Sequence, residues 1–306
     1  MISFVIKKYE PDFHSEVVKL YQALKEKYED VVYWWPGKEP FTWNFCDCVF
    51  VGEQLVGKGQ VQPIAVMEEG SNPDFQHKIY LNIKIHPDYE KEAEIYESIY
   101  NSLYNKALQI RESLPKGFDS LLCVGNFKEE VKNNEFFLSQ GFKPLNSLFG
   151  MTRDLLEEID SVEKPSEFEV DHWKIDREEE QLQYLKAEAE IWPENPLGLE
   201  RLQQFKSNPN WTAITAFHNG EIAGSIMAWE ESGEKVGVIE DVFVKETHRK
   251  KGLARYLLTE GLKYLQGLEL KEAQLEVVTD NYNALNLYRS VGFKEVLEEK
   301  RFFIQL

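Results

Sequence analysis

The chain has 306 residues, 42 % of them hydrophobic and seven of them tryptophan, and it carries a formal net charge of −18. Such a length suits two domains, and such an apolar content can supply a core for each, which excludes global disorder. The charge argues against a nucleic-acid partner, because phosphate backbones would be repelled over most of the surface, and it favours cationic small molecules.

In chain order, the opening "MISFVIKKYEPDF" has no apolar stretch long enough for a signal peptide. No run approaches membrane-spanning length, so no membrane partner is expected. The stretch "VYWWPGKEPFTWNF" concentrates Tyr33, Trp34, Trp35, Phe41, Trp43 and Phe45. Large aromatics are mostly structural, which predicts packing within a core or between domains. Cys46 and Cys48 flank Asp47 in an apolar run, so a strand points both at one face. With Cys123 they are too few for an oxidised framework, and a reducing cytoplasm is the expected compartment. The six histidines show no HxH or HExxH spacing, and no metal site is expected.

The two halves of the chain resemble one another at four places kept in order. "YWWPGKEP" from Tyr33 matches "IWPENP" from Ile191, and "VFVGEQLVGKGQV" from Val49 matches "TAFHNGEIAGSIM" from Thr215. "LNIKIHPDYEKEAEIY" from Leu81 matches "IEDVFVKETHRKKGLARY" from Ile239, and "FFLSQGFK" from Phe136 matches "LYRSVGFK" from Leu287. The separations run from 151 residues (Gly141 to Gly292) to 167 (Gly57 to Gly224), as loop insertions would make them. Between the copies, "EEIDSVEKPSEFEVD" is acidic, contains Pro165 and lacks periodicity. It places a first domain at 1–160, a linker at 161–170 and a second domain at 171–306.

The second half predicts a strand at "DHWKI", a helix at "REEEQLQYLKAEAEIW" ended by Pro193, and a second helix at "LGLERLQQF". Strands "WTAITAF" and "EIAGSIMAW" meet at Asn219-Gly220, a strong hairpin signal. A long strand "KVGVIEDVFV" leads to "GLARYLLTEGLKYLQGL", a helix apolar on most sides and hence buried. Strand "AQLEVVT", helix "NALNLYRSV" and closing strands around "FKEVL" and "KRFFIQL" complete the half. The order β-α-α-β-β-β-α-β-α-β implies an α/β fold with a mixed sheet covered by helices.

The chemistry is expected where the long strand runs into the buried helix. A helix start offers unpaired N–H groups and partial positive charge, and a glycine there admits a phosphate closely. Arg249, Lys250, Lys251 and Arg255 add charge in an otherwise acidic chain. At the matched place the first half has Glu90, Lys91, Glu92, Ala93 and Glu94, whose carboxylates would repel an anion.

Arg249-Lys250-Lys251-Gly252-Leu253-Ala254 resembles the (Arg/Gln)-x-x-Gly-x-(Gly/Ala) loop of the GCN5-related N-acetyltransferase (GNAT) superfamily. Asn281, Ala284, Tyr288, Gly292 and Phe293 stand at that family's second spacing, N-x-x-A-x-x-x-Y-x-x-x-G-F. The resemblance implies two tandem GNAT-like domains, each a mostly antiparallel sheet whose fourth and fifth strands splay apart, the first copy degenerate. It implies acetyl-CoA as cosubstrate, with its pyrophosphate on the Arg249–Ala254 loop, its pantetheine arm along the main chain of Val242, Phe243 and Val244, and Asn281 as a further contact. Tyr288 would be the general acid toward the departing thiolate, a role suited to a phenol, which keeps its proton at neutral pH. Glu240 is the candidate base, and Asp241 and Trp192 are candidate acceptor contacts.

Period-two alternation puts Glu240 and Asp241 on opposite faces unless a bulge intervenes, and apolarity does not decide which faces the slot. Phe137 stands where Tyr288 stands, without the hydroxyl, so the first copy is expected not to bind acetyl-CoA in the family manner. The expectation is an N-acetyltransferase acting on a primary amine of a small molecule or peptide, as monomer or homodimer. The alternative is an acyl-CoA-binding regulator without turnover.

Overall fold

The computed structural model describes residues 2–279 and 282–306. The chain forms two compact units, Met1–Ser147 with Glu298–Leu306, and Leu148–Leu297. This differs from the division at 161–170 read from the sequence. The acidic segment is largely irregular, but it lies inside the second unit. The true crossings fall within two long strands, β6 (Lys143–Asp154) and β12 (Lys294–Gln305), where strand periodicity hides them.

The first unit contains β1 (Val5–Lys8), α1 (His14–Lys27), β2 (Cys46–Val51), β3 (Gln54–Ala65), β4 (His77–Ile85), α2 (Ala93–Ser113), β5 (Ser120–Phe127) and α3 (Val131–Ser139). Its strand order is β1-β2-β3-β4-β5-β12. β4 and β5 run parallel, and the other pairs are antiparallel. The sixth strand comes from the far end of the chain, with Glu299–Gln305 paired to Phe127–Leu121. One face packs α2 through Ile95, Ile99 and Leu103 against Val61, Ile83 and Val124. The other packs α1 through Val17, Leu20 and Leu24 against Cys46, Cys48 and Phe50, so the alternating cysteines share a face as expected. Asp47, turned the other way, takes the Lys106 ammonium and the Ser102 hydroxyl.

The second unit contains the end of β6, β7 (Glu169–Trp173), α4 (Glu178–Ala189), α5 (Gly198–Lys206), β8 (Thr212–His218), β9 (Glu221–Glu230), β10 (Val236–Val244), α6 (Leu253–Gly267), β11 (Glu272–Thr279), α7 (Tyr282–Ser290) and the start of β12. The order of elements is the one expected, with strands arranged β6-β11-β10-β9-β8-β7. The two expected closing strands are instead one, β12, whose second part belongs to the first unit. Asn219 and Gly220 both take positive φ (51° and 80°), and His218 pairs with Glu221, so the hairpin turns in two residues. α6, with Leu257, Leu258, Leu262 and Leu265 buried, packs on one face of the sheet. α4 and α5 cover the other through Tyr184, Ala187 and Leu202.

Both units end their last helix in the same way. Phe142 N–H donates to Phe137 O and Phe293 N–H to Tyr288 O, each at 3.1 Å, around glycines with φ of 85° and 92°. A left-handed residue after the last turn lets the returning N–H groups satisfy otherwise orphaned carbonyls. The matched Gly-Phe pairs are therefore equivalent caps, and Phe137 occupies the place of Tyr288. The aromatic stretch packs locally: Tyr33 lies 5.0 Å from Trp35 and 5.1 Å from Tyr21, and its hydroxyl donates to Val17 O at 3.0 Å.

Candidate active site

β10 departs from regular strand geometry at its centre. Its register with β11 holds for Val236, Gly237 and Val238, and among the described residues it goes no further. Past Val238 the β11-facing edge of β10 is without a strand partner there. On the other side, Glu240 pairs with Met227 but Phe243 with Ser225, so one extra residue is inserted. Asp241 supplies the distortion with φ of 52°, a left-handed conformation that aspartate tolerates better than most residues.

The bulge answers which carboxylate faces the helices. Ile239 packs in the α6-side core and Phe243 in the α4/α5-side core. Glu240, opposite Met227, lies on the α4/α5 side, and Asp241 receives the hydroxyl of Tyr184 from α4 at 2.6 Å. Both acids thus serve one face because the bulge cancels the alternation between them.

Burial raises Asp241 to about 7 and Glu188 adds to the rise, while the Tyr184 hydrogen bond and Arg201 oppose it. Burial raises Glu240 as well, helped by the charges of Asp241 and Glu276 and opposed by Arg201. Glu188 is 3 % exposed, accepts Leu197 N–H at 2.9 Å and so ties the end of α4 to the start of α5. Trp192 stands edge-on to Phe243, with ring centroids 6.1 Å apart. Tyr288 is buried with Phe293 and Leu285, and burial raises its hydroxyl, with the charge of Glu240 adding to the rise. The chain therefore gathers Glu240, Asp241, Trp192 and Tyr288 around the end of β10.

Tyr184, Glu188 and Arg201 belong to this site and were not singled out from the sequence. Tyr184 and Glu188 are four residues apart, hence on one helix face, but only the packed fold tells which face meets the bulge.

Beyond Val244, residues Glu246–His248 make a single 3-10 turn, and Arg249 donates from Nε to Val244 O at 3.1 Å. Lys250 and Gly252 take positive φ (63° and 81°), and α6 begins at Leu253 with no side-chain cap. Arg249, Lys250, Lys251 and Gly252 are exposed, Ala254 is half-buried, and Leu253 is buried against the sheet. A Cβ at Gly252 would meet nothing within 4 Å, so this glycine serves the backbone conformation and leaves open space before the helix start. Lys251 also pairs with Glu167 at 3.2 Å. Uncapped helical N–H groups, three exposed cations and open space fit a pyrophosphate. The Val242–Val244 edge fits an extended amide-bearing arm. Asn281 lies outside the described residues. Among those described, no group of three or more metal-ligating side chains comes together, and no helix is long and apolar enough to cross a membrane.

In the first unit the corresponding places are filled by the chain itself. The β4–β5 register continues to Leu81 and Val124, and β3–β4 pairs without interruption from Gly57–Ile85 to Pro63–Ile79. By that register Asn82 stands where Glu240 stands. It donates to Val32 O at 2.8 Å and accepts Trp34 N–H at 3.4 Å. Glu130 accepts Val32 N–H and forms a fully buried ion pair with Lys84, which donates to Asn126 at 3.0 Å. Glu90, at the place of Arg249, carries a carboxylate bound by Lys27 and by the Tyr28 hydroxyl at 2.8 Å.

Residues 171–293 match the Acetyltransferase (GNAT) family. The catalytic subunit NAA10 of the N-terminal acetyltransferase A complex of Arabidopsis thaliana is 35 % identical over 106 residues, covering 33 % of this chain and 55 % of that protein. The chain spans 53–56 % of the length of the curated relatives it matches. Among solved structures, a GCN5-related N-acetyltransferase from Sphaerobacter thermophilus has a similar fold, with a TM-score of 0.73 at 17 % identity over 99 % of this chain and 95 % of that one. A tandem GNAT protein from the clavulanic acid biosynthesis pathway gives 0.60 at 14 % identity, covering 99 % and 98 %. The motifs and these likenesses agree: residues 171–293, which lie within the second unit, match the acetyltransferase (GNAT) family, and the chain shares the fold of the solved GNAT structures.

Proposed function

We propose that the second unit transfers an acetyl group from acetyl-CoA to a primary amine of a small molecule or peptide by direct attack, and that the first unit holds no acetyl-CoA. The observation that carries this reading is the pairing of an open, basic helix start at Arg249–Ala254 with two carboxylates turned to one face by the β10 bulge. Acetyl-CoA, when bound, supplies the activated acyl group.

The residues divide the remaining work. Arg249, Lys250, Lys251 and the first N–H groups of α6 neutralise the pyrophosphate. The main chain of Val242, Phe243 and Val244 aligns the arm. An N–H at Val242 or Phe243 meets the negative charge that grows on the acetyl oxygen in this reading. Glu240 takes a proton from the acceptor ammonium, directly or through water, which frees the nitrogen lone pair. As the carbon–nitrogen bond forms and the carbon–sulfur bond breaks, the electron pair on sulfur receives the Tyr288 proton. The resulting phenolate takes the remaining excess proton from nitrogen, and Glu240 releases its own to solvent. Asp241 and Trp192 hold the acceptor.

Two calorimetric titrations and one rate assay test the reading. Arg249→Glu is expected to abolish measurable acetyl-CoA binding, whereas Glu90→Gln leaves it unchanged; equal losses would sink the division between the units. A thiol-release assay across an amine panel is expected to find turnover. Binding without turnover of any amine would instead favour an acyl-CoA-binding regulatory protein.

A further inference from the structure

Asp241 is placed at a point where a carboxylate is hard to keep. It sits in a bulge, in a left-handed conformation, and is half-buried. The groups that face it are Tyr184 and Glu188 from α4 and Arg201 from α5, with Glu240 beside it on β10. Ser225 of β9 lies near the same Tyr184 hydroxyl, and Glu276 of β11 and Tyr288 of α7 lie near Glu240. Three of these neighbours, Glu188, Glu240 and Glu276, are acids; Glu188 opposes a negative charge on Asp241, and Arg201 favours it. Tyr184 is 0 % exposed, and its hydroxyl donates to Oδ2 of Asp241 at 2.6 Å. A buried tyrosine holding one oxygen of a strained aspartate is more than packing requires, since phenylalanine would fill the same core.

We propose that Tyr184 is a positioning residue that turns Asp241 toward the acceptor and favours its ionised form, so that Asp241 anchors the cationic amine through its second oxygen. The inference rests on reading the second unit as an amine acetyltransferase, and it deepens that reading by naming what maintains the acceptor-binding charge. Burial favours the neutral acid, whereas a donated hydrogen bond favours the anion. Without the hydroxyl, the protonated form of Asp241 would dominate at neutral pH, and its attraction for an ammonium group would weaken. Tyr184 keeps its own proton, because burial and the Asp241 charge both raise its hydroxyl well above the ordinary value.

The test compares the unaltered protein with Tyr184→Phe. In protein labelled with carboxyl-13C aspartate, the Asp241 resonance is identified by its loss in Asp241→Asn. Its titration midpoint is expected to rise by about one pH unit in Tyr184→Phe, a tenfold change in proton affinity. An unchanged or lowered midpoint overturns the proposal. With 1,4-diaminobutane and 2-phenylethylamine as acceptor probes, kcat/KM at pH 7 is expected to fall about fivefold, as the ionised fraction does for a one-unit rise, mainly through KM, and to recover at pH 9 as Asp241 ionises. A loss that persists at pH 9 marks a packing role and also overturns it. The midpoint needs no acceptor, so it decides on Tyr184 even if neither amine is turned over, an outcome that counts against the transferase reading alone. Should Tyr184→Phe not fold, Asp241→Asn, which tolerates the same backbone conformation, must raise the amine KM while leaving acetyl-CoA affinity intact; an unchanged KM refutes the anchor.

Discussion

Arg249 and Glu90 each follow a strand and a single 3-10 turn, and their opposite charges decide what each helix start can accept. Arg249 is exposed beside open space, whereas Glu90 is bound by Lys27 and Tyr28. The same contrast recurs at Tyr288 and Phe137, which share a helix cap and differ by one hydroxyl. Tyr288→Phe is expected to lower kcat about 100-fold while changing acetyl-CoA affinity little, the pattern of lost proton donation; unaltered turnover removes Tyr288 from the mechanism. In the first unit, Lys84 and Glu130 are each 1 % exposed, and the pair with Asn126 and Asn133 fills the region past the end of the β4–β5 register. Removing one partner strands a buried charge, which costs about 3–5 kcal/mol. Glu130→Leu is therefore expected to lower the denaturant midpoint of the first unit markedly, and Lys84→Met combined with Glu130→Leu to restore much of it.

At the scale of elements, the bulge in β10 and the regular pairing of β4 from Ile79 to Ile85 separate the two copies more clearly than any single side chain. The bulge needs room, and Gly224 supplies it. A Cβ there would lie 2.7 Å from the carbonyl oxygen of Phe243, a backbone atom that cannot swing away. β12 has a different consequence. Phe302 is 5 % exposed in the core of the first unit, although it follows the whole second unit in sequence. Phe302→Ala is expected to destabilise the first unit by about 3–5 kcal/mol through the cavity it leaves. Hydrogen exchange at Leu121–Phe127, the strand it borders, is the direct check; acceleration confined to α6 or β10 would contradict the pairing.

For the whole molecule, each unit takes its last strand from the opposite half of the chain, so neither half contains all of one unit. The sheet of the first unit is complete only with residues 298–306. A chain cut after residue 160 would leave β5 without its outer partner and is expected to be unstable by thermal denaturation. One acetyl-CoA per chain is the expected calorimetric stoichiometry. Two would require the first unit to open a region now occupied by Val32–Trp34, Lys84 and Glu130.

The sequence by itself determined the duplication, the order of elements in the second half, the hairpin at Asn219-Gly220 and the assignment of the basic helix start to one copy only. These are local properties: hydrophobic period, turn chemistry and charge at a helix N-terminus are carried by neighbouring residues. Only the tertiary structure decided the unit boundaries, because a strand reads the same whichever sheet receives it. Only it placed Glu240 and Asp241 on one face, since a bulge is a mismatch between two strands and leaves no mark in either alone. Tyr184, Glu188 and Arg201 became legible for the same reason. Their role depends on which helix face meets the bulge, a fact set by packing across the sheet.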